Sequence, residues 1–341
     1  MNDRALSLLE QYDIEVLRTR KGRGTFVCEA KNKYMSFQEY NGNPEKLKLQ
    51  QKVLDRIKDL GLVKSEELIP NKEGQLYVRD GDGVCYILKT YFEGTECNIY
   101  ENKECIEAVQ LLARLHHCMD GVILDEPEET SQQEEGAFAL QRCSVLQEFE
   151  KHNRELMRVR SYLKKKGQKQ VFEARLLSVM DYFIQQALSV TQEWRQIAEE
   201  YGTDAENGQR ECICHGDYQY HNILRTTDGW RIVNLEKIQL DDPVRDLYLF
   251  MRKVMEKNNW NIVQGREILG AYNAVRALDG YSMQDLYHRF AYPEKFWKIT
   301  NFYYNSSKAW IPEKNLEKLE KVLNQEKMKQ KFLKELWSEE L

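Results

Sequence analysis

The sequence predicts an α+β chain of two lobes, a small antiparallel β lobe followed by a larger, mainly helical one. Three observations carry this. The first ninety residues alternate strand-like runs with Gly- and Asn-bearing turns. From about Asn102 onward, apolar residues recur at three- and four-residue spacing. The 341 residues, 42% of them apolar, are enough for two modest cores. The division falls after Tyr91, giving residues 1–91 and 92–341, with Phe92 to Thr95 as the linker.

In the small lobe, IEVLRTR, TFVCEA and YMSFQEY read as a three-strand meander turning at KGRG and KNK. A helix follows, PEKLKLQQKVLDRIKDL, with Leu47, Val53, Leu54, Ile57 and Leu60 on one face and Gly61 as its stop. LYVRDGDGVCYILKTYF then gives a hairpin turning at DGDG. In the larger lobe a helix covers Cys105 to Cys118, and an acidic loop runs from Asp125 to Gly136. Two long helices then span about Ala137 to Lys166 and Lys169 to Glu200. In the second of these, Phe172, Leu176, Val179, Phe183, Ala187, Val190 and Trp194 form a buried stripe. ECICHGDYQYHNILRTTDGWRIVNLEKI reads as strand, loop, strand, turn, strand, and the rest is helical and rich in aromatics.

Composition excludes several function classes. A net charge of -5 without a basic stripe argues against a nucleic-acid surface. No apolar run approaches 18 residues and the N-terminus lacks the pattern of a secretory signal, so neither membrane insertion nor export is expected. The eight cysteines form no C-x-x-C pair and are expected to be reduced, buried thiols; Cys212 and Cys214 should share one strand face.

The chemistry-bearing pattern is His215-Gly216-Asp217 followed by Asn222, an H-G-D-x-x-x-x-N loop between short strands. Phosphoryl transfer wants residues of these types: an Asp that orients the attacking hydroxyl, here Asp217, and an Asn nearby that can hold Mg²⁺, here Asn222. His215 and Gly216 read as scaffold, the Gly permitting a sharp backbone path. The competing reading is that His, Asp and Asn merely satisfy turn hydrogen bonds.

With the upstream LLARLHH and the downstream DDPVRDLYLFMRKV, this loop resembles the aminoglycoside/choline kinase-like superfamily, which has a two-lobed protein kinase-like fold. FAYPEKFWKITNFYYNSSKAWIP at Phe290 to Pro312, with YFEGTECNI, more narrowly resembles the CotS family of bacterial spore coat proteins. That resemblance implies a protein made in the mother-cell cytoplasm and deposited in the spore coat, with other coat proteins as partners. It also implies ATP and Mg²⁺ as cofactors, bound weakly or not at all, with a nucleotide pocket at Gln38 and at Thr90, Tyr91, Phe92 and Glu93. Asp246 resembles the structural Asp that braces the loop.

Two positions depart from the active pattern. Gln38 stands where relatives carry a strand Lys, and an amide carries no charge to set against phosphate. Asn234, in Val233-Asn234-Leu235-Glu236, stands where they carry a metal-binding Asp, leaving Glu236 as the nearby carboxylate. Glu45 is the only early carboxylate in the small-lobe helix placed to partner a strand Lys. Two functions are therefore expected in competition. One is a coat protein using a degenerate kinase-like fold, a pseudokinase, in assembly. The alternative is an active ATP/Mg-dependent kinase of a small hydroxyl or amine substrate.

Overall fold

The computed structural model describes residues 3–22, 24–31, 33–122, 144–201, 212–305 and 312–338. The acidic loop at Asp125 to Gly136, the start proposed for the first long helix at Ala137, Cys143, Arg23 of the first turn and Trp310 lie outside these residues. The chain packs as two compact units. The first comprises Met1–Gln141 and Cys212–Leu240, the second Arg142–Glu211 and Asp241–Leu341.

The first unit is built on a five-stranded antiparallel sheet. Strands β1 (Val16–Lys21), β2 (Thr25–Ala30) and β3 (Lys33–Glu39) form the meander. Helix α1 (Glu45–Leu60) and the short β4 (Lys64–Ser65) follow, and β5 (Val78–Arg79) and β6 (Cys85–Thr90) make the DGDG hairpin. The order across the sheet is β1-β2-β3-β6-β5. Its two faces differ because strand residues alternate. Phe26, Cys28, Met35, Phe37 and Leu88 face one way and bury against Ala5 and Leu9 of the N-terminal 3₁₀ helix (Asp3–Gln11) and against Tyr12 just after it. On the other face the register sets Thr25 opposite Gln38 and Ser36 opposite Lys89, with the Thr25 and Ser36 hydroxyls 2.6 Å apart. This polar stripe borders the loop described below.

Helix α1 ends where Gly61 takes a left-handed turn, φ 62°, and donates its N–H to Ile57. Its buried face is Leu47, Gln50, Val53, Leu54 and Ile57. Leu60, expected on that face, is exposed, and Gln50 takes a core position with neither amide atom partnered among the described residues.

A second sheet of four strands, ordered β4-β10-β9-β7, joins β7 (Thr95–Glu96), β9 (Ile223–Thr226) and β10 (Gly229–Ile232) to β4. Helix α2 (Asn102–Met119) holds this sheet through Arg225–Glu104 at 3.0 Å and Trp230 Nε1–Glu107 at 3.0 Å. The strand β8 (Cys212–Cys214) brings the chain into the loop, and β11 (Gln239–Asp241) leads it out. The seven described cysteines are free and buried, and the Cys212 and Cys214 sulfurs lie 4.0 Å apart on one face.

The second unit is helical: α3 (Val145–Lys165), α4 (Val171–Glu200), α5 (Val244–Lys257), α6 (Ile262–Asn273), α7 (Gly280–Ala291), α8 (Glu294–Asn305) and α9 (Pro312–Trp337). Ser144 caps α3 by accepting the Gln147 N–H, and Glu173 reaches back to the Gln170 N–H at the start of α4. The α4 stripe buries Phe172, Leu176, Phe183, Ala187, Val190 and Trp194 as expected, but Met180 rather than Val179 completes it. The aromatic run is packing material here: Phe296 stacks on Phe183 at 4.2 Å between ring centroids and Tyr292 on Phe149 at 4.2 Å.

Within this unit His152 stacks on Trp297, and its Nδ1 has no partner among the described residues. Burial pushes its pKa down to about 4, against the pull of Glu294 and Glu155. Below the ordinary value of 6.5 the unfolded chain takes up a proton that the folded chain refuses. Its stabilising contribution is therefore complete above that value and is lost as pH falls toward 4, by about 3 kcal/mol in full. Between pH 7 and 4.5 the protein should lose about 2 to 3 kcal/mol more stability than its His152→Phe variant. Urea melts at both pH values measure this, and parallel losses would refute it.

Candidate functional site

The H-G-D loop folds as it does because three of its residues are fixed from outside. The Asp217 N–H donates to His215 Nδ1 at 3.2 Å, so Nε2 carries the ring proton and donates to the Val233 carbonyl at 3.1 Å. Gly216 has φ 76°, and a Cβ there would lie 2.1 Å from the Lys237 carbonyl oxygen. Tyr218 anchors the loop to α2 by donating its hydroxyl to Ala108 O at 2.8 Å. His215 and Gly216 thus hold the loop against the turn at residues 233–237.

Asp217 Oδ1 accepts from Gln219 Nε2 and Oδ2 from Lys237 Nζ, each at 2.7 Å. Asn234 sits at φ 64°, ψ 54°, a left-handed conformation that Asn adopts more readily than most residues. Its neighbourhood contains a residue that the sequence reading did not single out. Lys89, 3% exposed on β6, donates to Asn234 Oδ1 at 2.8 Å, pairs with Glu66 at 3.0 Å, and makes a shorter contact with Glu236. Gln38 donates to the same Glu236 oxygen at 2.9 Å. Lys89 and Gln38 share a sheet face because Ile87 lies opposite Gln38 and Lys89 is two residues further on. The expected absence of a strand ammonium is therefore corrected: the cation enters from the neighbouring strand.

Glu45 is not its carboxylate partner, since it pairs with Lys48 at 2.7 Å at the start of α1. Glu66 is. Strand β4 runs parallel to β10 in register Arg231↔Lys64 and Ile232↔Ser65, and the Glu66 N–H continues the ladder to Ile232 O. This pins Glu66 beside the turn, where its carboxylate accepts the Leu235 N–H at 3.1 Å.

Hydrogen-bond direction around Asn234 is forced. Lys89 can only donate, so the atom facing it is Asn234 Oδ1. Asn234 Nδ2 then donates to Asn222 Oδ1 at 2.8 Å, and Asn222 Nδ2 donates to the main-chain oxygen of Asp217 at 2.8 Å. The chain of donors runs Lys89, Asn234, Asn222, Asp217. An aspartate at position 234 could not supply the middle link.

Electrostatics follow from burial. Desolvation raises the Glu66 pKa, Lys89 pulling it back and Glu236 pushing it further up. Burial works in the same direction on Glu236, but the charge and hydrogen bond of Lys89 outweigh it and hold the carboxyl below its ordinary value. For Lys89, burial opposes the charge and the two carboxylates overcome it, leaving the pKa raised.

Asp217, Asn222, Asn234, Glu236 and Gln38 therefore lie in one hydrogen-bonded network of the first unit. Of the other expected residues, Thr90 accepts the Glu67 N–H on its hydroxyl at 2.9 Å, and Tyr91 donates its N–H to Tyr34 O at 3.0 Å. Phe92 lies under the Arg231 guanidinium at 4.1 Å, and Glu93 pairs with Arg20 at 3.2 Å. Asp246 is fully buried in the first turn of α5, in the second unit.

The site can be tested for Mg²⁺. That ion requires oxygen ligands free to coordinate it, preferably anionic and near-octahedral. Here Asn222 Oδ1 and Asn234 Oδ1 are neutral and each accepts from a nitrogen, and Glu236 Oε1 accepts from Gln38 and Lys89. As arranged, Mg²⁺ would take Asn234 Oδ1 or Glu236 Oε1 only in competition with the Lys89 and Gln38 nitrogens.

Residues 6–336 match the family described as "Spore coat putative kinase YutH". The chain belongs to this family. A curated relative, spore coat protein S of Bacillus subtilis (strain 168), is 29% identical over 141 residues; the match covers 39% of this chain and only 40% of the relative's length. Among solved structures, an aminoglycoside phosphotransferase from Alicyclobacillus acidocaldarius is similar with a TM-score of 0.81 at 18% identity, covering 97% of this chain and 94% of that one. Spectinomycin phosphotransferase APH(9)-Ia, in complex with ADP and spectinomycin, has a TM-score of 0.63 at 13% identity, covering 95% and 94%. Amicoumacin kinase hAmiN, in complex with AMP-PNP and Ca²⁺, has a TM-score of 0.62 at 9% identity, covering 97% and 94%. These likenesses establish the two-lobed α+β kinase-like fold. Among the described residues no helix is long and apolar enough to cross a membrane.

Proposed function

We propose that this spore coat family member acts in coat assembly as a kinase-fold scaffold in which phosphoryl transfer is lost or severely weakened. In this reading it is made in the mother-cell cytoplasm and deposited in the coat beside other coat proteins. The observation that carries the proposal is the donor chain from Lys89 through Asn234 to Asn222. It occupies with nitrogen donors the oxygens that a metal would need. Lys89 supplies positive charge inside the network, but Glu66 and Glu236 neutralise it, so little is left to set against a phosphate. Nucleotide binding at Thr90 to Glu93, independent of metal, is compatible with this reading.

The alternative, an ATP- and Mg²⁺-dependent kinase of a small hydroxyl or amine substrate, draws on the presence of Asp217 and Asn222 and on the buried ammonium of Lys89. The two are separated by comparing the natural protein with Asn234→Asp. Asp cannot donate to Asn222 Oδ1, and it adds a carboxylate, so the variant gains the metal ligand. In the natural protein, any rise in melting temperature with ATP should be the same in Mg²⁺ as in EDTA. In Asn234→Asp, Mg²⁺ should add to that rise, because a ligand that binds only the folded state stabilises it. Mg²⁺-dependent turnover by the natural protein, abolished by Asp217→Ala, would overturn the scaffold reading.

A further inference from the structure

The second unit contains a cavity, open to solvent at its mouth, between α4, α5, α7, α8 and α9. Its walls are largely aromatic, with Phe183, Phe290, Tyr292 and Phe296 among the lining residues. Its polar groups divide unequally. Each lining carboxylate is already partnered: Glu256 by Arg252 at 2.9 Å and Lys295 at 2.5 Å, Glu294 by Tyr248 and Lys298, and Glu326 by Gln186 at 3.1 Å and Gln330 at 2.7 Å.

The unmet capacity belongs to donors. Lys329, on α9 and 9% exposed, meets only the Ala291 and Tyr292 main-chain oxygens, both at a weak 3.4 Å, and no described carboxylate lies within ion-pair distance. Trp260 Nε1 is buried without a hydrogen-bond partner among the described residues, whereas the Arg252 guanidinium is already paired with Glu256 and, through Nε, with Glu294 at 3.7 Å. Donors buried in this state leave hydrogen-bonding capacity unmet, so two lining one cavity call for an acceptor.

The backbone adds a second, independent observation. Trp260 has φ 56° directly after Asn259 at φ 51°, a left-handed pair that a bulky residue rarely adopts. The turn is held by the Trp260 N–H donating to Met255 O at 2.9 Å, and it sets the indole against Phe332 at 5.5 Å while the ring lines the cavity. Backbone strain of this kind persists where the surroundings impose it, often at ligand sites.

We infer that this cavity is a binding site for a small carboxylate with an aromatic body, its carboxylate received by Lys329 and Trp260 and its ring by the phenylalanine walls. The donor-only deficit selects an anion over an amine, and the apolar lining selects a ring over a bare ion. All lining residues belong to the second unit, so the site is separate from the loop network of the first.

Benzoate is the probe, benzamide its neutral counterpart of equal shape. Thermal melts and titration calorimetry on the full chain should show saturable benzoate binding with Kd below about 1 mM, and benzamide weaker by at least about tenfold. Lys329→Met keeps the stem and removes the ammonium, and should weaken benzoate by at least about tenfold without weakening benzamide. If Lys329→Met does not fold, Trp260→Phe, which removes one donor and keeps an aromatic ring, should still weaken benzoate several-fold. Absence of saturable benzoate binding, equal binding of benzamide, or benzoate affinity unchanged in these variants would overturn the assignment.

Discussion

Replacing Lys89 with Met should destabilise the protein by about 3 to 5 kcal/mol, the range expected when one partner of a buried ion group is removed and the other charges remain. Lys89 is 3% exposed and Glu66 1%, so neither retreats to water. Without the ammonium, Glu66 and Glu236 face each other across a dry space, and Asn234 Oδ1 loses its donor. The Met stem fills nearly the same volume, so the loss reports charge rather than a cavity. A second substitution identifies the cause. Lys89→Met combined with Glu66→Gln should recover roughly half the loss, because one uncompensated carboxylate has become neutral while its oxygen still accepts the Leu235 N–H. Urea midpoints at constant m-value make the comparison. A loss below about 1 kcal/mol for Lys89→Met, or no recovery in the double variant, would mean that the group is solvated and that its role in the network is misread.

The same residue shows where sequence reasoning stops. Gln38 could be placed because the resemblance to active relatives marks its position, and the structure sets it beside Glu236. Lys89 lies in a strand that reads as apolar, CYILKT, and its side chain counts as part of the site only once register places Ser36 opposite it. Pairing between β3 and β6 is a non-local fact that periodicity within either strand does not contain. A signal was nonetheless present: a lysine in an otherwise apolar strand is a buried charge in need of a partner. Glu66 offered less. It follows a two-residue strand in an irregular stretch, and its position is decided by parallel pairing with β10, more than 160 residues away in the chain.

Local devices were legible for the opposite reason. The Gly61 stop of α1, the DGDG turn of the β5–β6 hairpin and the alternation of Cys212 and Cys214 depend on neighbours a few residues apart. The errors in helix faces have one form. Leu60 and Val179 fit a helical period, yet the burial goes to Gln50 and Met180, because the final turn of α1 and the rotation of α4 are set by what packs against them.

Gly216→Ala should be the most damaging single-methyl change in the first unit, costing about 4 kcal/mol or more or preventing folding altogether. Two effects add at this position. At φ 76° an L-residue carries a conformational cost of about 1 to 2 kcal/mol before any contact is considered. The new Cβ would also stand 2.1 Å from the Lys237 carbonyl oxygen and 3.0 Å from its carbon. These are backbone atoms, so no side-chain rotation relieves the overlap, and either the loop or the 233–237 turn must move. Movement there separates His215 from the Val233 carbonyl and Lys237 from Asp217, coupling the local clash to the rest of the network. Gly24 in the β1–β2 turn supplies the control: at φ 74° it shares the backbone conformation but has nothing within 4 Å of an added Cβ. Gly24→Ala should therefore cost only the conformational part, about 1 to 2 kcal/mol. Urea melts of the two variants side by side should differ by about 2 kcal/mol or more. Equal costs would show that the close approach between Gly216 and Lys237 does not constrain the loop.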